Sequence, residues 1–477
     1  MNWSRIKNVF FFLLAGLFAF APAWAADRYV TPPGVGTNNY PYTNWADAAT
    51  NIQWAVNAAT NGDTVWVTNG TYMLTNQISI TNRIILKSMN GYSGTTVDGN
   101  YPNYTNLCFN MSGNSTVDGF TIKNGYASNG GGVYVATGKV YNCLITGNTA
   151  TNFGGGLYGA FITVPGANYI SNCYVITNIA RYGGGFYGNG TIEASTIISN
   201  LALRAGGINM DWSSAGAPNF VSNCVIACNQ ATGDRAGGIY FNTGYSEMRN
   251  CIISNNAVFQ YGGGAYLNAY GGGYVIVRDC IIVNNSVSSS SGKGGGLYCD
   301  QGGNVRQCLI SGNRNIASPS GGGGIYADRI KNNVSYPGYI DSCTIVSNIT
   351  SFGPGGGILV VGTNTANSVS NCVIWGNIAT NAYENDIGGS NSPFWFVCAS
   401  YTNFSAGQGN ITNNPQFVDF NGGNYRLNAN SPCINAGTNE SWMTNSVDLD
   451  ERQRIRYGRV DIGAYERIYN GTIYTIP

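Results

Sequence analysis

Apolar residues stand two positions apart within a short segment that occurs nine times along the chain. Its first copy is NCLITGN, and the second and fourth positions are apolar in every copy except one, which has Ser195 at the second. A period of two is that of a β-strand, and the content of Val, Ile, Thr and Tyr broken by Gly, Asn and Ser also favours strands over helices. The copies begin 22 to 35 residues apart, at Asn142, Asn172, Ala194, Asn223, Asn250, Asp279, Gln307, Ser342 and Asn371.

A repeat of this length is typical of a solenoid. The copies follow glycine clusters that lead into an apolar residue and usually a tyrosine, as in GGGLY from Gly154. Each repeat is therefore interpreted as one coil of a parallel β-helix, with two or three short strands per coil. The predicted fold class is all-β, a single solenoid of about ten to twelve coils.

Two residue columns are expected to hold the coils together. Every copy has an asparagine five residues after the cysteine position, and asparagine tolerates left-handed bends and can bond amide to amide between coils. These residues are Asn148, Asn178, Asn200, Asn229, Asn256, Asn285, Asn313, Asn348 and Asn377. The cysteines predict an apolar interior column, and a coil spacing of about 4.8 Å is compatible with either thiols or disulfides. They are Cys143, Cys173, Cys224, Cys251, Cys280, Cys308, Cys343 and Cys372.

Composition excludes several classes of function. Only 9% of the 477 residues are charged and the formal net charge is +1, which argues against nucleic acid or an anionic membrane as the partner. The chain contains no histidine, so mechanisms that use Ser-His, Cys-His or His-metal groups are excluded. Zinc sites are usually built from histidines and CxxC motifs, and the sequence contains neither. No zinc or other such metal site is therefore predicted.

Residues 1–25 have the pattern of a secretory signal peptide. Arg5 and Lys7 precede an apolar run over residues 9–20, and the small residues Ala23 and Ala25 mark a cleavage site after Ala25. No later stretch is long enough to span a membrane. The mature chain is expected to be secreted or extracellular, without a transmembrane segment, and monomeric.

The pattern changes over residues 26–100, which are predicted to form an N-terminal cap and the first coils. Ala48, Ile52, Ala55 and Val56 are spaced for one helix face, and Gly62 follows as a stop signal. An open solenoid end exposes unpaired strand edges and apolar core, so we expect this helix to cover it. The repeats then occupy residues 101–380.

The first part of the mature chain resembles a known family. RYVTPPG from Arg28, GDTVWVTNGTY from Gly62 and TTVDGN from Thr95 are similar to the N-terminal region of secreted right-handed parallel β-helix proteins of the pectin-lyase-like superfamily. The GGG-x-Y and NCxI repeats are similar to those of the polymorphic outer-membrane protein class within it. The resemblance implies a right-handed helix at or outside a bacterial cell surface, and it allows a polysaccharide lyase or hydrolase activity.

Residues 381–477 resemble a second known module. NPQFVD from Asn414, YRLNANSPCINAG from Tyr425 and VDIGAYE from Val460 are similar to the choice-of-anchor Q domain that closes many bacterial β-helix proteins. We expect these residues to form a C-terminal cap. Charges are dense here, and Asp448 and Asp450 with their neighbours are expected either to form ion pairs with nearby arginines or to bind calcium.

The strand after each glycine cluster carries the most ordered polar surface. Its first and third positions are mostly apolar or small, so its second and fourth positions are expected to face outward. Tyrosine rings stack on sugars and Asn or Asp side chains bond hydroxyls, which suits an extended polysaccharide; alternatively, the stacked side chains only stabilise the sheet. The predicted ligand-binding residues are Asp211, Tyr240, Asn242, Tyr266, Asn268, Tyr298 and Tyr326.

Asp300 and Asp328 lie on adjacent coils in this pattern and are the candidate catalytic residues. Two carboxylates about 5 Å apart repel by roughly 3 kcal/mol at an effective dielectric of 20, so stability alone does not explain the pair. They are candidates for a proton-sharing acid pair, as in glycoside hydrolysis, or for a calcium site. No other cofactor is predicted.

The preferred hypothesis is a non-enzymatic exported protein that binds a polysaccharide or another cell-surface component. The alternatives are a polysaccharide lyase or glycoside hydrolase acting along the Tyr/Asp/Asn positions, and a purely structural surface protein. Under the binding hypothesis, loss of an outward aromatic ring is expected to weaken binding and leave the fold intact.

Overall fold

The computed structural model describes most of the chain beyond the predicted signal peptide, which lies outside the described residues apart from Ala25. The described residues are 25–161, 168–211, 218–242, 245–269, 273–300, 303–328, 330–331, 334–335, 338–362, 368–380, 384–389, 393–400 and 409–467.

Four parallel sheets run along the solenoid, and each full coil passes through sheets A, B, D and C in turn. Sheet A has 14 strands: Asp27–Val30, Thr64–Val67, Ile85–Ser88, Ser115–Asp118, Gly138–Tyr141, Asn168–Ser171, Thr191–Glu193, Asn219–Ser222, Ser246–Arg249, Val275–Arg278, Asn304–Arg306, Tyr339–Asp341, Ser368–Ser370 and Phe394–Trp395. Sheet B has 13: Gly70–Met73, Thr95–Asp98, Thr121–Lys123, Leu144–Thr146, Tyr174–Ile176, Thr196–Ile198, Val225–Ala227, Ile252–Ser254, Ile281–Val283, Leu309–Ser311, Thr344–Val346, Val373–Trp375 and Cys398–Ala399.

Sheets D and C complete each coil. Sheet D has 10 strands: Tyr126–Asn129, Thr149–Phe153, Ile179–Tyr182, Leu201–Arg204, Gln230–Ala231, Ala257–Val258, Ser286–Val287, Arg314–Asn315, Ile349–Thr350 and Ile378–Ala379. Sheet C has 12: Ile78–Ile80, Phe109–Met111, Val133–Val135, Leu157–Gly159, Phe186–Gly188, Ile208–Met210, Ile239–Phe241, Ala265–Asn268, Leu297–Asp300, Ile325–Asp328, Ile358–Val361 and Ile387–Gly389. Two short antiparallel pairs lie outside the coils, Ile330–Lys331 with Val334–Ser335 and Phe417–Asp419 with Asn424–Leu427.

The predicted parallel β-helix is confirmed, but a full coil contains four strands rather than two or three. Single residues with left-handed backbone divide the coil that begins at sheet A strand Gly138–Tyr141: Asn142 (φ 52°) separates A from B, Gly147 (φ 64°) separates B from D, and Gly154 (φ 64°) separates D from C. A one-residue bend leaves an apparently continuous β-type pattern in the sequence, which explains the underestimate.

The asparagine column forms the predicted amide ladder inside the solenoid. The Nδ2 group of Asn148 donates to the Oδ1 of Asn178 at 3.0 Å and to the carbonyl of Ile122 at 3.0 Å, and the pattern repeats along the column. The left-handed bend was assigned to the wrong residue, however, because it lies one position earlier, as at Thr177 (φ 54°) and Ser199 (φ 56°). The asparagine itself points inward, where its amide satisfies buried backbone groups.

The cysteine column also lies in the interior, as predicted, together with the isoleucines and valines two positions later. All thirteen cysteines of the chain are free thiols. The thiols bond to the backbone, as at Cys143, whose Sγ donates to the carbonyl of Tyr141 at 3.1 Å. These contacts let a weakly polar side chain fill a narrow apolar interior.

The helix Ile52–Ala58 covers the first coils, as predicted. The side chain of Asn51 caps it by accepting from the N–H of Gln53 at 2.8 Å, and Ile52, Ala55 and Val56 are buried against the first strands. Ala48 is buried but precedes the helix. None of the helices in the described part of the chain has the length and apolar character needed to cross a membrane.

Residues 409–467 fold back over the outer face of sheet B. Their apolar side chains pack on outward residues of the late coils, and this segment includes the 3₁₀ turn Ser441–Met443. Hydrogen bonds fix the position, since the side-chain amide of Gln307 donates to the carbonyl of Val447 at 2.6 Å and the N–H of Ala464 donates to Oγ1 of Thr344 at 3.0 Å. This C-terminal segment therefore forms one wall of a cleft against the side of the solenoid.

Candidate functional site

The predicted Tyr/Asp/Asn positions lie on the outer face of sheet C. The residues before and after each tyrosine belong to the main core, whereas four of the tyrosines belong to a separate cluster with Leu359. The predicted alternation is therefore correct, and consecutive tyrosines are direct register partners. The four tyrosines of this cluster are Tyr240, Tyr266, Tyr298 and Tyr326.

These rings are buried, which contradicts the expectation of an open stacking surface. Their exposed fractions are only 2 to 6%, and neighbouring ring centroids lie 4.7 to 5.5 Å apart. Arg235 lies over Tyr240 at 5.2 Å, and Lys293 lies over Tyr326 at 4.8 Å. Both cations belong to the chain segments that precede the glycine clusters, and these segments cover the rings. The rings therefore stack on each other and on cations rather than facing solvent. Alternation predicts the direction of a side chain but not what covers it.

The polar residues of the same face form a hydrogen-bonded chain beside the rings. Tyr187 donates to Asp211, whose other oxygen accepts from the amide of Asn242 at 2.6 Å, and Tyr240 donates to Asn242. The amide of Asn268 donates to the carbonyl of Asn242 at 3.5 Å. Three predicted ligand-binding side chains, Asp211, Asn242 and Asn268, are thus half-buried and already bonded to their neighbours.

Asp300 and Asp328 are register partners, as predicted, but they do not face an open groove. Asp300 is 1% exposed and accepts from the hydroxyl of Tyr266 at 2.7 Å. Asp328 accepts from Tyr298 at 3.4 Å and lies 3.6 Å from the ammonium group of Lys293. Arg329, the cation expected to lie nearby, is outside the described residues. The catalytic role of the pair stays a prediction.

Burial keeps the tyrosine hydroxyls protonated. Desolvation, followed by the nearby Asp300 carboxylate, raises the pKa of Tyr266 and that of Tyr298 far above the usual range, and desolvation raises the pKa of Tyr326 to about 12. The phenols of Tyr266 and Tyr298 therefore donate hydrogen bonds to Asp300 and Asp328 at neutral pH. A donor of this kind stabilises a buried carboxylate and helps to explain how the fold tolerates the acidic pair.

A cleft of about 710 Å³ lies between the solenoid and the C-terminal segment, and it was not predicted from the sequence. Its volume is within the range of ligand-binding pockets. The solenoid contributes the ends of sheet A strands and the turns into sheet B, and the C-terminal segment contributes the opposite wall. The lining residues with polar side chains are Asn223, Arg249, Asn250, Arg278, Asp279, Arg306, Gln307, Trp442, Asn445, Ser446, Asp448 and Glu451.

Three of these residues, Arg249, Arg278 and Arg306, are stacked on consecutive coils of sheet A in direct register, and we call them the arginine ladder. Arg278 is compensated by Glu247 at 2.8 Å and Asp279 at 2.5 Å. Arg306 lies 3.8 Å from a carboxylate of the next coil and between two aromatic rings, including Trp442 at 4.4 Å. Arg249 is exposed and forms no ion pair with any other residue that the structure describes.

The acidic residues of the cleft are largely used within the protein. Asp448 is 3% exposed and accepts from three backbone N–H groups, those of Asp450, Arg452 and Glu466, at 2.6 to 2.9 Å. Asp279 accepts from Arg278 and from the amide of Gln307. Glu451 is exposed at the rim. The open part of the cleft therefore presents one uncompensated arginine, one glutamate and several amides.

The C-terminal acidic residues were expected either to form ion pairs or to bind calcium. Asp450 pairs with Arg426 at 2.5 Å and with Arg452 at 3.2 Å, which is the ion-pair arrangement expected as the structural alternative. Among the described residues, no three His, Cys, Asp or Glu side chains gather as potential metal ligands.

The arginine ladder does leave a signal in the sequence. Each ladder residue stands two positions before a cysteine of the repeat, in MRNC, VRDC and VRQC. Aligning the repeats on the cysteine would reveal this column. The opposite wall leaves no comparable signal, because the C-terminal segment that forms it is more than a hundred residues away in the chain.

A family model and several solved structures are similar to this chain. Residues 105–278 match a family model described as a right handed beta helix region. Solved structures that resemble the chain include pectate lyase Pel9A (15% identity, TM-score 0.43, 93% of this chain and 98% of that one) and a mannuronic acid specific family 6 polysaccharide lyase from human gut microbiota (12% identity, TM-score 0.40, 78% and 85%). A third is the A-module of the Azotobacter vinelandii mannuronan C-5 epimerase AlgE6 (13% identity, TM-score 0.32, 76% and 95%).

These likenesses are too distant to transfer any activity to this chain, and no curated protein matches its sequence significantly. The match to the family model and the four parallel sheets agree with one another. The chain is a right-handed parallel β-helix protein.

Proposed function

We propose that this protein binds an extended acidic polysaccharide, without catalysing a reaction on it, in the cleft lined by the arginine ladder. The role is the exported glycan binder predicted from the sequence, but the site moves from sheet C to the edge of sheet A. The observation that carries the proposal is the uncompensated Arg249 at the end of three stacked arginines in an open cleft.

The electrostatics of the ladder favour an anionic ligand. Arg278 and Arg306 already pair with carboxylates, so Arg249 is the ladder residue whose positive charge no described carboxylate neutralises. A carboxylate or sulfate group of the glycan would pair with Arg249, because guanidinium groups recognise such anions in a bidentate manner. A glycan chain lying parallel to the solenoid axis would meet the arginines of successive coils. The exposed amides of Asn250 and Asn445 offer partners for its hydroxyls.

The burial of Asp300, one member of the acidic pair, supports binding over catalysis. An acid or base must come within hydrogen-bond reach of its substrate, and the Asp300 carboxyl is enclosed behind the tyrosine rings. The lyase or hydrolase alternative would require the covering segments to move away. A purely structural role requires neither an open cleft nor an uncompensated arginine.

The test compares two arginine variants on a panel of acidic and neutral polysaccharides. Arg249→Ala is expected to weaken binding to acidic chains about tenfold or more, since a hydrogen bond to a charged group contributes about 1.5–3 kcal/mol. Arg314→Ala is the matched control, because it removes the same charge from an exposed residue on sheet D. Affinity electrophoresis at low and high salt would measure both.

Each alternative has a distinct outcome in this assay. No retention by any polysaccharide, or equal losses in the two arginine variants, would overturn the proposed function. Release of unsaturated products or new reducing ends would show an enzyme, and loss of that release in Asp300→Asn and Asp328→Asn would assign the chemistry to the acidic pair.

A further inference from the structure

A second depression, of about 330 Å³, lies on the N-terminal cap and shares no residue with the cleft. One wall is the outer face of the helix Ile52–Ala58, and the other is a loop that precedes the helix. Its lining residues are Asn38, Tyr40, Tyr42, Trp54, Asn57 and Ala58. None of these side chains is charged.

The aromatic rings here are accessible, unlike those of sheet C. Tyr40 is 74% exposed and Trp54 is 45% exposed. Tyr42 is buried beneath Tyr40, with the two ring centroids 5.9 Å apart at an interplanar angle of 82°. The turn is tied to the first strand because the N–H of Tyr29 donates to the carbonyl of Tyr42 at 2.9 Å. The rings are therefore held in place while their faces remain open to a ligand.

Two amides flank the rings, and their oxygens are already engaged. The Oδ1 of Asn57 accepts from the amide of Gln53 at 2.8 Å, and the Oδ1 of Asn38 accepts from the N–H of Thr50 at 3.4 Å. Gln53 is itself anchored, because its Oε1 accepts from the N–H of Ser79 at 2.7 Å. The Nδ2 groups of Asn38 and Asn57 donate to no residue that the structure describes. Each amide therefore presents fixed donors to the depression.

We propose that this depression binds a neutral hexopyranose unit of a glycan. The apolar face of the sugar ring would lie against Trp54 and Tyr40, and its hydroxyl oxygens would accept from the amides of Asn38 and Asn57. Trp54 and Asn57 are three residues apart on one helix face, so a single ligand can contact both. The absence of charge in the lining separates this site from the arginine cleft, and its ligand does not depend on the function proposed for that cleft.

Isothermal titration calorimetry of the full mature chain with cellohexaose and with maltohexaose tests the proposal. At least one of the two is expected to bind, and Trp54→Ala is expected to weaken that binding about tenfold, the scale of one good aromatic contact. Trp395→Ala is the matched control, because Trp395 is similarly exposed, at 39%, but lies on the last strand of sheet A. This control is expected to bind as the unmodified protein does.

Two further variants keep the test valid if Trp54→Ala disturbs the cap. Tyr40→Ala removes a ring that contributes little to the core, and Asn57→Ala removes an exposed amide; both are expected to weaken binding severalfold with an unchanged circular dichroism spectrum. Absence of binding to both hexasaccharides would overturn the proposal. Equal binding by Trp54→Ala, Tyr40→Ala and the unmodified protein would overturn it as well.

Discussion

Replacing Asn256 with alanine tests whether the amide ladder is a principal source of stability. Asn256 is completely buried in a central coil. Its Oδ1 accepts from the backbone N–H and the side-chain amide of Asn229, both at 3.0 Å. Its Nδ2 donates to the carbonyl of Ile226 at 2.9 Å and to Oδ1 of Asn285 at 3.0 Å. Alanine removes all four hydrogen bonds at once.

The expected loss in free energy of unfolding is about 3–5 kcal/mol. A buried group left without a partner costs about 1–3 kcal/mol, and each further hydrogen bond lost costs about 1 kcal/mol. The N–H of Asn229 loses its acceptor in a site that water does not reach. The Oδ1 of Asn285 is less affected, because it still accepts from the backbone N–H of residue 256 at 2.9 Å.

The neighbouring asparagine supplies the control. Asn255 is exposed and has left-handed backbone, with φ at 55°, which glycine adopts without strain. Asn255→Gly is expected to change stability by no more than about 1 kcal/mol. Denaturant unfolding followed by far-ultraviolet circular dichroism measures both variants. Equal midpoints, or a loss below about 1 kcal/mol for Asn256→Ala, would refute the assignment of the ladder as a structural support.

Two other predictions concern the outer clusters. Tyr298→Ala is expected to cost about 3–5 kcal/mol of stability. Tyr298 is only 6% exposed, and its ring packs between two tyrosine rings with centroid distances of 4.7 and 5.5 Å. This result would differ from the sequence-based expectation of an intact fold. Tyr457→Ala is the control, because Tyr457 is 52% exposed. If both variants lost equally little stability, the tyrosines of sheet C would not form a stabilising buried cluster. Burial outweighs the neighbouring Arg454 and raises the pKa of Glu466 from 4.5 to about 8. The pKa of Glu466 is higher in the folded state than in the unfolded state. The contribution of Glu466 to stability is therefore fully present below about pH 4.5 and is lost as the pH rises through about 8. Glu466→Gln is expected to flatten that decline in melting temperature, and an unchanged slope would contradict it.

The repeat in the sequence was sufficient to predict the solenoid. Period-two apolar positions such as Cys143 and Ile145 reflect a local constraint, because side chains of a strand alternate between its two faces. The inward columns, the amide ladder and the helical cap all follow from such local rules. The bends were placed one residue late, because the ladder residue is Asn in every copy whereas the left-handed residue before it varies among Gly, Ser, Asn, Thr and Cys.

Only the tertiary structure shows which outward-facing side chains are covered and which distant segments meet. Tyr240 and Tyr298 point away from the core as their spacing requires, yet Arg235 and Lys293 cross over them, so a surface predicted to bind sugars is closed. The arginine column is visible in the repeats, but it lines a cleft only because the C-terminal segment returns along the side of sheet B. Burial depends on which segments meet in space, and residues far apart in the chain carry no local pattern that records such a meeting.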